Sequence, residues 1–169
     1  TADICLAYVK KDSRIRYIRQ KQHISMGENF NFVLNQARGT YFLWVAHDDV
    51  WGKTVLEECL NCIEKNPNTI LAFFRFVYID DAGKVIRADD PSGFFPHERN
   101  LYKRLKQYLL FLHHNGKANV HYGLWVRKKL QLIPLFSFRG DWISWGSDAN
   151  FIFKALIAGE FSFIEKVLL

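Results

Sequence analysis

Two adjacent carboxylates, Asp48 and Asp49, end an apolar run that begins at Tyr41 and passes through Phe42, Leu43, Trp44, Val45 and Ala46 before His47. Carboxylate oxygens are hard ligands, and a pair at the end of such a run points to a divalent cation and, through it, to a phosphate. A capped turn would use the same residues, because Asp also favours loops and helix N-termini. His47 is a poor third ligand, since hard cations prefer oxygen. Cys59 and Cys62 have CxxC spacing, but they lie in a helical pattern with no second pair to complete a zinc set. They read as buried helix thiols.

The elements that must position these groups follow from the apolar periodicity. Six apolar or aromatic residues without alternation predict a parallel strand over 41–46, buried on both faces. Asp48 and Asp49 then stand at its C-terminal end, where open α/β sheets bind ligands. Before it, Ala2 to Lys10 has the pattern of a helix tail and Ile15 to Arg19 that of a short strand. A helix introduced by Gly27 carries Phe30, Val33, Leu34 and Ala37 on one stripe and Asn31, Asn35 and Arg38 on another face, and Gly39 is expected to cap it. After the carboxylates, Val55, Leu56, Cys59, Leu60 and Ile63 mark a helix that Asn66-Pro67-Asn68 stops. Thr69 to Ile79 is a strongly apolar strand, and Asp80 to Gly83 turns it into a second strand, Lys84 to Arg87.

Residues 89–97 are expected to form a loop. A helix follows with Leu101, Leu105, Tyr108, Leu109 and Leu112, then a polar break over 113–116 and a mixed region from Ala118 to Arg139. The last helix, Ala149 to Ala158, is ended by Gly159, and Phe161 to Ile164 is the final strand. Alternation of this kind predicts an α/β fold with a mixed, mainly parallel sheet flanked by helices.

Composition narrows the setting. At 169 residues, with 49% hydrophobic and 16% aromatic content, the chain fits one domain with a substantial core. Three cysteines are too few for a disulfide framework and favour reduced thiols in a cytoplasmic setting. No stretch approaches the roughly 20 apolar residues needed to span a bilayer, and Thr1-Ala2-Asp3-Ile4 has no basic region or signal core. The formal charge of +6 is clustered: Lys10, Lys11, Arg14, Arg16, Arg19 and Lys21; Arg99, Lys103, Arg104 and Lys106; Arg127, Lys128 and Lys129. The clusters lack interleaved stacking aromatics and match no recognised nucleic-acid module, which argues against nucleic acid. A membrane surface or a lipid-linked diphosphate suits them better.

From Ile15 onward the chain resembles the family 2 glycosyltransferases, whose fold is a nucleotide-binding α/β domain called GT-A. The resemblance rests on Asn31, Ala37-Arg38-Gly39, Tyr41 and His47-Asp48-Asp49-Val50-Trp51, followed in order by Asn66-Pro67, the turn Asp80 to Gly83, and Tyr122-Gly123 with basic residues after it. It implies a nucleotide-sugar donor, a carbohydrate or lipid-linked acceptor, and a role in polysaccharide or glycolipid synthesis. By this resemblance Asp48 matches the Asp that ligates Mn2+ or Mg2+ in the family's Asp-x-Asp motif. The motif's first Asp falls on Ala46, and Asp49 is the neighbour that compensates. The catalytic base falls on Asp148, in Ser147-Asp148 at the start of the last helix, where an N-cap role is the competing use. Asp141 is an outside candidate. Asn31 and Arg38 would help to position the donor. Trp51, Trp142, Trp145 and Gly146 would border the substrate, the indoles as platforms for sugar rings, although tryptophans also fill cores.

The resemblance divides the single domain 1–169 into a donor and metal part over about 1–90 and an acceptor and catalytic part over about 91–169. It also implies that strands which would precede Thr1 in the family are not in this sequence. A partial nucleoside pocket, an exposed sheet edge and weak donor binding are therefore expected. Two alternatives use the same features: a carbohydrate-binding or scaffold remnant of the fold, and a nucleotidyltransferase, which also works with carboxylates and a metal.

Overall fold

The chain's helices are α1 (Ala2–Lys11), α2 (Met26–Gln36), α3 (Val55–Lys65), α4 (Leu101–Leu110), α5 (Arg127–Leu130) and α6 (Ser147–Ala158). Its strands are β1 (Tyr41–Phe42), β2 (Thr69–Ile79), β3 (Val85–Asp89), β4 (Leu124–Val126) and β5 (Glu160–Val167). The computed structural model describes residues 1–89, 98–111, 116–117, 119–134 and 146–167.

The sheet is organised on β2, whose first six residues are all buried. Leu71 pairs with Trp125 of antiparallel β4 on one edge and with Phe161 of parallel β5 on the other. Farther along, Phe76 to Ile79 pair with β3 in the antiparallel hairpin. The hairpin turn is held by Asp80, whose side chain accepts from the backbone N–H groups of Ala82 and Lys84. β1 adds to β4 antiparallel. Two antiparallel steps make β1 co-directional with β2 and β5, so three strands end on the same side of the sheet. The mixed α/β architecture is as expected, with direct parallel pairing confined to β2 and β5 among the described strands.

The main core lies between the sheet and the helices α2, α4 and α6, and it includes Leu34, Trp44, Phe73, Tyr108, Trp125, Phe151 and Leu156. A smaller cluster under α3 joins Val55, Cys59 and Ile63 to Ala72, Phe74 and Leu124. Their i, i+4, i+8 spacing is the buried stripe of α3. α6 is tied to α4 at both ends: Tyr108 Oη donates to the Ala149 carbonyl at 2.7 Å, and Arg104 Nη2 donates to the Leu156 carbonyl at 2.8 Å.

Several local expectations change. Ile15 to Arg19 forms no strand, and no described strand pairs with it. The strand expected over 41–46 contracts to two residues. Only Trp44 in that run is buried, while Val45 is 62% exposed. α2 is closed at Ala37 rather than Gly39, and it begins with a capping box in which Ser25 and Glu28 satisfy each other's backbone N–H. In α4 the buried residues are Arg104 and Tyr108, and Leu101 and Leu109 face solvent. Of the loop expected over 89–97, Asp89 instead ends β3 and is buried against Arg87 at 2.8 Å. Residues 90–97 and Leu112 lie outside the described residues. Among those described, no helix is long and apolar enough to cross a membrane.

Candidate active site

The segment that carries the acidic pair is held by an aromatic anchor rather than by sheet pairing. After Phe42 the chain leaves the ladder, and Trp44 turns into the core with its Nε1–H donating to the Phe30 carbonyl of α2 at 3.3 Å. Phe42, Trp125 and Phe151 all present their rings edge-on to Trp44, at centroid distances of 4.7, 6.3 and 6.0 Å. Such geometry is favoured by the ring quadrupoles and fixes the indole in one orientation. His47, Asp48 and Asp49 follow within five residues and emerge at the side of the sheet where β1, β2 and β5 end.

Asp48 borders two clefts. One, of about 700 Å3, lies outside the ends of β2 and β5 and is lined by Asp48, Asp49, Trp51, Tyr78, Ile79 and Val167, among others. The other, of about 570 Å3, runs between α2 and the 42–48 segment, with Phe30, Trp44, His47, Asp48 and Tyr122 in its walls. Burial and the neighbouring Asp48 charge push the Asp49 carboxyl above its ordinary range, against a smaller opposing effect of His47. His47 Nδ1 stands 3.8 Å from Asp48 Oδ1.

No group of three His, Cys, Asp or Glu converges as a metal-binding set among the described residues. The donors present do fit a different arrangement. One or two carboxylates suffice for a Mg2+-type cation that keeps waters and shares its remaining positions with a diphosphate. Asp49, raised first by burial and then by the Asp48 charge, would be relieved of that neighbouring negative charge by such a cation. Asp48 is exposed and Asp49 beside it is half-buried.

Asp148 lies in the first turn of α6, whose N-cap is Gly146 with no side-chain capping bond. Neither Ser147 nor Asp148 is the N-cap residue, but Asp148 does serve the helix terminus by satisfying a first-turn N–H. Gly146 has φ of 88°, a left-handed conformation suited to glycine, and this turns the chain into α6. The Asp148 side chain accepts from the Ala149 N–H at 2.7 Å, and a negative charge there is favoured by the helix dipole. Asp148 also acts on Tyr108, whose phenol is pushed up mainly by burial.

Tyr122 reports the relation between these groups. Its phenol is raised by burial first, then by the charges of Asp49, Asp48 and Asp148. Asp48 and Asp148 are one hundred positions apart in the chain. Tyr122 ends the 3-10 helix Asn119–Tyr122. The next residue, Gly123, packs so tightly that a Cβ would come within 2.4 Å of the Ala72 carbonyl oxygen. Sequence reasoning noted Tyr122-Gly123 as part of an ordered set but gave Tyr122 no role. The available signal was a tyrosine beside a glycine directly before a buried strand.

The remaining candidates are distributed unevenly. Trp51 lines the larger cleft with Asp48 and Asp49, and its ring meets Phe74 edge-on at 6.0 Å. Its buried Nε1–H has no hydrogen-bond partner among the described residues. Asn31 and Arg38 do not line the clefts beside Asp48; the α2 wall is Met26, Asn29, Phe30 and Val33. Helical spacing explains this, since Asn31 is turned about 100° from Phe30 and α2 ends before Arg38. Asp141, Trp142 and Trp145 lie outside the described residues. Cys59 is fully buried, and burial pushes its thiol up to about 12, as befits an inert core thiol.

The family model described as Glycosyl transferase family 2 matches residues 1–130. The matched span contains Asp48, Asp49 and Tyr122 and ends before α6. A Methanocaldococcus jannaschii protein named as an uncharacterized glycosyltransferase is 27% identical over 128 residues, covering 76% of this chain and 41% of that protein. A Rickettsia felis protein named in the same way is 30% identical over 98 residues, covering 57% of this chain and 15% of its own length. A Rickettsia conorii counterpart is 29% identical over 98 residues with the same coverage. The chain therefore spans about two fifths of the archaeal relative and a smaller part of the rickettsial ones.

Proposed function

Because the chain belongs to Glycosyl transferase family 2, we propose that it moves a sugar from a nucleotide-sugar donor to a hydroxyl of a polysaccharide, glycolipid or lipid-linked acceptor. Asp148 serves as general base. The acceptor hydroxyl gives its proton to Asp148 as its oxygen bonds to the anomeric carbon. The carbon–oxygen bond to the diphosphate breaks, the electron pair leaves with the nucleoside diphosphate, and the configuration inverts. A divalent cation, Mn2+ or Mg2+, when held by Asp48 with Asp49 beside it, supplies neutralisation of charge on the departing diphosphate.

Asp148 suits its role because it is half-buried, and the Ala149 N–H that one of its oxygens accepts from holds the carboxylate in place. The part of the domain over about 1–90 then serves donor and metal, and that over about 91–169 serves acceptor and catalysis. The clusters around Arg14, Lys103 and Lys128 support an anionic or lipid-linked acceptor at the inner face of a cytoplasmic membrane. The observation that carries the proposal is the family match over residues 1–130 together with a cleft at the ends of β2 and β5 lined by Asp48 and Asp49.

The test is release of nucleoside diphosphate across a panel of nucleotide sugars, for the wild type, Asp48→Ala and Asp148→Asn. Turnover of one donor by the wild type and its loss in both variants is expected. Turnover unchanged in both would remove the site assignment. The alternative is a carbohydrate-binding remnant, favoured by Ala46 where the family carries its first Asp. Sugar binding without nucleoside diphosphate release on the same panel would select it.

A further inference from the structure

A separate pocket, of about 310 Å3, opens where α3 ends and β5 begins, and Lys65, Asn66, Arg99, Arg104 and Glu160 are among its lining residues. It lies near the start of the paired strands β2 and β5, whereas the acidic pair borders the cleft outside their other ends. Nothing in the proposed sugar transfer uses it.

Arg104 is the group that calls for a ligand. It is only 8% exposed. One of its N–H groups, on Nη2, donates to the Leu156 carbonyl at 2.8 Å. Its Nε–H is buried without a partner, and among the described residues no carboxylate pairs with the guanidinium. Arg keeps its charge in proteins, and a buried charge without a counter-ion is strongly unfavourable. A Leu or Met would fill the same turn of α4 without that cost.

The carboxylates that line the pocket are already engaged. Glu98 accepts from the Asn100 N–H at 2.8 Å and stands 3.8 Å from Lys103, and Glu160 accepts from Asn66 Nδ2 at 3.1 Å. The other two cations of the pocket, Lys65 and Arg99, are exposed and also pair with no carboxylate among the described residues. One buried and two exposed cations therefore share a concave space with no anion assigned to them. A carboxylate would bring one charge and two oxygens. A phosphate monoester brings nearly two charges and three acceptor oxygens, which suits two guanidinium forks and an ammonium. The volume is at the small end of ligand sites, so it suits a phosphate with little attached to it.

We infer that this pocket binds a phosphate monoester group through Arg104, Lys65 and Arg99, as a second anion site apart from the donor and metal clefts. The Leu156 carbonyl holds Arg104 in place for it. A bound phosphate would join the end of α3 to α4 and neutralise the residue that ties α4 to the C-terminal end of α6.

The test uses inorganic phosphate as the probe, with ionic strength held constant by sodium chloride so that screening does not enter. Calorimetry should show saturable binding to the wild type, and its melting temperature should rise with phosphate concentration. Lys65→Gln and Arg99→Gln, at exposed positions, should each weaken binding by about tenfold, the effect of one charged hydrogen bond. Arg104→Gln should abolish it, but that variant also loses part of the tie to α6, so the two exposed positions decide. Vesicles of phosphatidylcholine with and without phosphatidic acid form a second arm. Binding of inorganic phosphate alone supports a soluble ligand. Vesicle binding that requires phosphatidic acid and falls in both variants supports the same site with the phosphate supplied by a lipid headgroup. No binding in either arm, or binding unchanged in Lys65→Gln or Arg99→Gln, would overturn the inference. Neither arm contains a nucleotide sugar, so this failure and that of the transfer proposal are read independently.

Discussion

Trp44 and Phe151 meet edge to face with ring centroids 6.0 Å apart and planes at 86°. Trp44 lies four residues before Asp48, and Phe151 three residues after Asp148. This contact, buried on both sides, links the segment carrying the acidic pair to the helix carrying the proposed base. Truncation there should affect both stability and alignment. Phe151→Ala is expected to cost about 3–5 kcal/mol in denaturant unfolding, and at temperatures where the variant is folded its turnover should fall more than its donor affinity.

Asp148→Asn removes the charge and keeps the shape. If Asp148 is the base, turnover should fall by about a hundred- to ten-thousand-fold with donor affinity preserved. Loss of a favourable charge in the first turn of α6 should cost only about 0.3–1 kcal/mol. A thermal melt beside the kinetics separates the two effects. Turnover within a few-fold of the wild type would exclude Asp148 as the base.

The Cys59 thiol gives a pH dependence whose sign can be worked out. Its pKa is raised from 9.0 to about 12 by burial, so the neutral form is favoured in the folded chain. The unfolded thiol releases its proton first as pH rises. This contribution is therefore complete below pH 9 and is lost between there and about pH 12, with a slope of about 1.4 kcal/mol per pH unit. Denaturation series above pH 9 should show a steeper loss in the wild type than in Cys59→Ala. Cys59 should also resist alkylation at pH 8 until the chain unfolds.

Gly123→Ala tests the seat of Tyr122. The added methyl would meet the Ala72 carbonyl oxygen at 2.4 Å, and a backbone atom in a sheet centre has little room to yield. A destabilisation of about 1–3 kcal/mol or more is expected. Gly83→Ala, in open space in the hairpin turn, should cost about 1 kcal/mol from its left-handed backbone alone.

Asp49 makes cation binding sensitive to acid. Its carboxyl is raised by burial and by Asp48, so protons compete with a cation at a higher pH than at an ordinary Asp. Mn2+-dependent binding of a nucleoside diphosphate, followed by calorimetry, should weaken as pH falls through that raised value. Asp49→Asn should bind more weakly but lose most of this dependence. Binding independent of Mn2+ at every pH would remove the pair from the metal role.

The legibility of the chain follows from which interactions leave a local trace. β2 was readable to its end residues because a strand buried on both faces is a continuous apolar run, and Pro67 punctuates its start. α3 was readable because Val55, Cys59 and Ile63 repeat with the helical period. The run 41–46 misled because an indole buried among Phe30, Phe42, Trp125 and Phe151 leaves the same apolar signature as a paired strand. Arg104 was invisible as a buried residue, since its cover depends on a carbonyl of α6 fifty-two positions away. In the site, the order of motifs singled out Asp48, Asp49 and Asp148. Tyr122 escaped because its place beside Asp48 in a cleft wall is made only by folding.

The position of Asp48 in the walls of both clefts means that the two cannot fill independently. Charge neutralised from one side alters what the other side meets, and such coupling is reciprocal: whatever the first ligand does to the affinity of the second, the second does to the first. The order in which two substrates are taken up would then be set at one carboxylate.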